Sequence, residues 1–61
     1  MNAKIAAQWA VERAHRARLE ALASLGRVKQ SGDTQAQSRA QRRVDDATHR
    51  LMMAEREAAR V

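Results

Sequence analysis

The stretch Val28-Lys29-Gln30-Ser31-Gly32-Asp33-Thr34 decides how this 61-residue chain folds. It holds the one break, Ser31-Gly32-Asp33, between two helical patterns. Before the break, Ala7, Ala10, Ala14, Ala17, Ala21, Ser24 and Val28 recur at alternating steps of three and four. After it, Ala40, Val44, Ala47, Leu51, Ala54, Ala58 and Val61 recur in the same way. That spacing keeps one stripe of each helix facing a partner. Alanine in both stripes lets two helix backbones approach closely, but it supplies little hydrophobic energy. Val11, Leu22 and Leu25 flank the first stripe, and Arg18 lies on its border.

The pattern predicts a single domain over residues 1–61. Helix 1 spans about 3–30, the turn about 31–33 and helix 2 about 34–60. Asn2 is a suitable N-cap, helix 2 has its start signal at Asp33 or Thr34, and Thr34 with Gln37 has the spacing of a capping box. Gly26 is either an interior glycine or the stop signal. Val28 continues the heptad beyond it, so Gly32 is the expected terminator. Two arms of equal length joined by a short turn pack antiparallel. The expected fold class is all-α, a two-helix antiparallel hairpin with an alanine-rich heptad seam. With so few large apolar residues, such a chain is marginal alone. It is expected to dimerise into a four-helix bundle or to dock on a larger partner.

Composition excludes several classes. There is no Cys, so no disulfide or thiolate site exists. Trp9 is the sole aromatic residue, which argues against a β-rich core. No apolar run reaches the length of a membrane span and no signal-peptide pattern opens the chain, so a cytoplasmic protein is expected. The net charge is +5. Residues 1–31 carry six Lys/Arg against two Glu, and residues 32–61 carry six Arg against five Asp/Glu. A basic balance favours nucleic acid, anionic lipid or an acidic protein surface, without choosing between them.

Chemistry-bearing motifs are missing. His15 and His49 converge with no further ligands, so no metal site is expected. Asp45 and Asp46 are sequence neighbours that point in different directions on a helix, so they are not a catalytic pair. A two-helix chain also lacks room for a concave substrate site. Neither enzyme activity nor a cofactor is expected.

Two constellations point to binding instead. Ile5, Trp9, Glu12, Arg16, Leu19 and Ala23 form a second row, opposite the alanine stripe of helix 1. A hairpin alone leaves Ile5 and Trp9 exposed, and Trp is enriched in interface hot spots. The competing reading folds the indole over its own helix beneath Arg13 or Arg16. Leu51, Met52 and Met53 form the concentrated apolar spot of helix 2 and lie at the same end as Trp9. Methionine there suits an adaptable binding surface or gap-filling in a dimer core. The expected protein interface is therefore Ile5, Trp9, Arg13, Arg16, Leu19, Leu51, Met52 and Met53. Arg13, Arg16, Arg39, Arg42 and Arg43 are the alternative set, for phosphate contact with RNA or DNA. No stacking aromatics or nucleic-acid module signatures accompany them. Favourably ordered pairs, Glu12–Arg16 and Asp46–Arg50, also suit a plain solvated helix surface.

The layout of equal antiparallel helices with alanine in the seam resembles Rop-like plasmid copy-number hairpins. That resemblance implies a four-helix-bundle dimer that binds paired RNA hairpins. Two-helix ribosomal proteins of the large subunit are similar in length, basicity and central Gly turn, with Gln41-Arg42-Arg43-Val44 as the nearest approach to their basic run. Small two-helix secretion co-chaperones and phage inhibitors are similar in outline. The leading expectation is a non-enzymatic protein-binding module acting as regulator, inhibitor or adaptor. RNA or DNA binding is the alternative, and a structural subunit of a larger assembly the second alternative.

Overall fold

The computed structural model describes residues 2–61. Helix α1 runs Ala3–Ser31 and helix α2 runs Thr34–Arg60, packed side by side in antiparallel fashion. The fold is an all-α helical hairpin, with principal extents of 46 × 13 × 12 Å.

Each helix end is closed by a local device. The Asn2 side chain accepts a 2.9 Å bond from the Lys4 N–H, and its carbonyl accepts one from Ala6 at 3.0 Å. These bonds satisfy donors that the first turn otherwise leaves open. Gly26 lies inside α1, and α1 stops at Gly32, whose φ of 75° is left-handed. The Ser31 hydroxyl donates to the Val28 carbonyl at 2.6 Å and accepts from the Asp33 N–H at 3.3 Å. Asp33 then caps α2, accepting from the Ala36 N–H at 3.1 Å. Thr34 is therefore the first helical residue, and the Thr34–Gln37 capping box does not form. A carboxylate in the cap also meets the positive end of the helix dipole, which a hydroxyl does not.

The seam of α2 is the expected one from Ala40 to Ala58, though Val61 stays 48% exposed. The seam of α1 is rotated by one position at every other step. Its inward residues are Ala7, Val11, Ala14, Arg18, Ala21, Leu25 and Val28, while Ala17 is exposed. Of the inward set Ala7 and Leu25 are buried and the rest half-buried; Ala10 and Ser24 are equally half-buried and line the groove beside the seam. The reason is bulk: Val11, Leu25 and the Arg18 stem remove more apolar surface from water than Ala10, Ser24 and Ala17. The core itself is small. Leu25, Ala40 and Val44 form its cluster, with Ala21 and Val28 packed against them near the turn. Ala7 and Ala47 complete the buried set.

Candidate interaction surfaces

The two-helix layout gives the molecule two flanks, one on each side of the seam, and two outer sides. One flank is a groove of about 620 Å³ floored by alanines, including Ala14, Ala17 and Ala47. Its walls carry Arg13 and Glu20 from α1 and Arg43, Asp46 and Arg50 from α2. The groove is an open trough rather than an enclosed chamber, because small residues face one another along both helices.

The opposite flank is crossed by the one side-chain hydrogen bond between the helices among the described residues. Arg18 Nε donates to Thr48 Oγ1 at 3.2 Å, and Thr48 in turn donates to the Val44 carbonyl at 2.8 Å. On this side Leu22 is 37% exposed, and Leu19 and Met52 are half-exposed at its outer edges. Beneath them lie the half-buried Val11 and Leu51 and the buried Leu25.

Trp9 projects from the side of α1 turned away from α2 and is 55% exposed. Ile5 and Arg13 are its neighbours four residues away on the helix surface, and Arg16 lies two turns further on. All of these side chains are exposed. Met52 and Met53 are both about half exposed. Successive helix residues differ by about 100°, so they project to different flanks of α2. Leu51 turns into the seam and is half-buried. The structure thus gathers Ile5, Trp9 and Arg13 into one patch. It sets Met52 and Met53 apart from that patch, on the other helix.

The five arginines of the nucleic-acid alternative are likewise divided. Arg13 and Arg43 line the groove. Arg39 and Arg42 line a separate hollow of about 330 Å³ at the start of α2, with Thr34, Gln35 and Ser38. Arg16 lies on the outer side of α1. Neither Glu12–Arg16 nor Asp46–Arg50 is an ion pair. Among the described residues the salt bridge formed is Arg60–Glu57, at 3.6 Å and largely exposed. Asp45 instead accepts a bond from Gln41 Nε2 at 3.1 Å.

Among the described residues no group of three His, Cys, Asp or Glu is placed to hold a metal ion. Among the described residues no helix is long and apolar enough to cross a membrane. Glu20, on the wall of the groove, is the surface residue that the sequence pattern does not single out. Weighing side-chain volume as well as heptad spacing sets the rotation of α1, and with it the side on which Glu20 lies. No family model matches this chain, nor does any curated protein or solved structure.

Proposed function

We propose that this hairpin is a non-enzymatic binding module that captures a protein partner through the outer side of α1, centred on Trp9. The observation that carries this reading is the 55% exposure of the chain's sole aromatic residue. A large apolar ring held in water by a rigid helix gains most when a partner surface buries it. Ile5 widens the apolar contact, while Arg13 and Arg16 give the rim a positive charge. An acidic partner is therefore favoured, because opposite charge speeds encounter and fixes orientation. Regulator, inhibitor and adaptor all fall within this reading.

The test is capture from the source cell after nuclease treatment, comparing the native chain with Trp9→Ala. A nuclease-resistant protein retained by the first and lost by the second supports the reading. Equal capture by both removes it.

A second reading, contact with RNA or DNA, is favoured by the groove, where Arg13, Arg43 and Arg50 outnumber Glu20 and Asp46. It requires affinity that falls steeply with salt and survives Trp9→Ala. Filter binding at two salt concentrations separates the two readings.

A further inference from the structure

This hairpin exposes more surface than a compact monomer of its mass. A folded monomer of 6.8 kDa exposes about 4,000 Å². This chain exposes 4939 Å². The surplus, roughly 900 Å², is close to the ~800 Å² that each partner contributes to a standard stable interface. One flank has the matching size. It is 46 Å long and two helix diameters wide, about 20 Å, which offers on the order of 900 Å².

The two flanks differ in what they could meet. The flank crossed by the Arg18–Thr48 bond carries Leu19, Leu22 and Met52 at its surface. By helical register its charges are Lys4, Arg18 and Lys29 against Glu12, Asp45 and Glu55, so they cancel. The chain's net +5 therefore lies on its other sides. An identical copy presents the same surface, and a strongly one-signed surface repels itself. An electroneutral flank with exposed aliphatic side chains avoids that repulsion and offers an identical copy apolar surface to bury, whereas the groove is floored by alanines and walled by three arginines and two carboxylates.

We propose that a second copy of this chain covers the Leu19–Leu22–Met52 flank, so that two hairpins pair into a four-helix bundle. Burying that flank adds Leu22, Val11 and Leu51 to a core that one hairpin leaves half-open. The pairing leaves both Trp9 side chains on the outside. It is therefore independent of the partner-capture reading, and each can fail alone.

Sedimentation equilibrium of the full chain over a wide concentration range tests the proposal. The expected mass is twice 6.8 kDa, with a thermal midpoint that rises with concentration. Leu19→Glu with Leu22→Glu should weaken association at least about a hundredfold. Ala17→Glu, on the groove side, and Trp9→Ala should change it by less than about twofold. If the double variant fails to fold, Leu22→Ala replaces it, with about a tenfold loss expected. A helical chain that stays at 6.8 kDa at every concentration overturns the proposal. Dissociation by Ala17→Glu or Trp9→Ala, with no effect of the leucine variants, overturns it equally.

Discussion

Arg18 Nε donates to Thr48 Oγ1 across the seam at 3.2 Å, and Thr48 passes the chain of bonds on to the Val44 carbonyl at 2.8 Å. Apolar contacts between alanines are nearly uniform along a helix and tolerate sliding. A directional bond does not, so this pair pins α1 against α2 at one register. Thr48→Val is expected to cost about 1 kcal/mol in urea unfolding, the usual net value of one such bond. Arg18→Ala should cost more, because the stem that fills the seam is lost with the guanidinium. An unchanged midpoint for both variants would mean the bond does not form in solution.

The two glycines should respond in opposite senses to the same substitution. Gly26 lies in α1 with nothing within 4 Å of an added methyl. Gly26→Ala should therefore stabilise by about 1 kcal/mol through helix propensity. Gly32 has φ 75°, where an L side chain is strained. Gly32→Ala should destabilise by about 1 kcal/mol. Thermal unfolding of both variants, followed by circular dichroism, checks the pair.

The rotation of α1 makes a sharper prediction. Ala17 is exposed, whereas Leu25 is 7% exposed and Ala47 is 8% exposed. Ala17→Glu should change stability by no more than about 0.5 kcal/mol. Leu25→Ala should cost about 2–3 kcal/mol, by lost burial and the cavity left behind. Ala47→Glu should cost at least as much as Leu25→Ala, since the larger side chain does not fit where the two backbones approach closely, even with Arg43 and Arg50 beside it. If Ala17→Glu proved as damaging as Ala47→Glu, the seam would follow alanine spacing instead of bulk.

The contrast between turn and seam shows what was legible in the sequence. Gly32 and Asp33 act locally: one ends a helix by its φ, the other starts the next by its carboxylate. Such signals need no tertiary context, so both helices and the hairpin could be read directly. The facing of α1 could not. Ala10, Ala17 and Ser24 satisfy a heptad as well as Val11, Arg18 and Leu25 do. What separates the two sets is the volume each removes from water against α2. The same rotation decides which side chains share a surface. Trp9 and Ile5 were legible because they lie almost opposite either version of the seam. The grouping of Leu22 with Leu19 and Met52 depended on the rotation and was not, whereas Arg43 and Arg50 border the α2 stripe whichever way α1 faces.

Trp9→Ala should leave helicity and unfolding midpoint within about 0.5 kcal/mol of the native chain, because the ring supports no core contact. Its effect should fall on partner capture alone. A large loss of stability on this substitution would assign the indole to packing and withdraw the docking patch.

The most direct test of the whole account is acrylamide quenching of Trp9 fluorescence in the isolated chain over a range of concentrations. The account places this indole on the outer side of α1, away from both α2 and the flank given to a second copy. It predicts quenching nearly as efficient as for free tryptophan, with emission characteristic of water-exposed indole, unchanged as concentration rises. A shielded, blue-shifted indole, or shielding that grows with association, would contradict it.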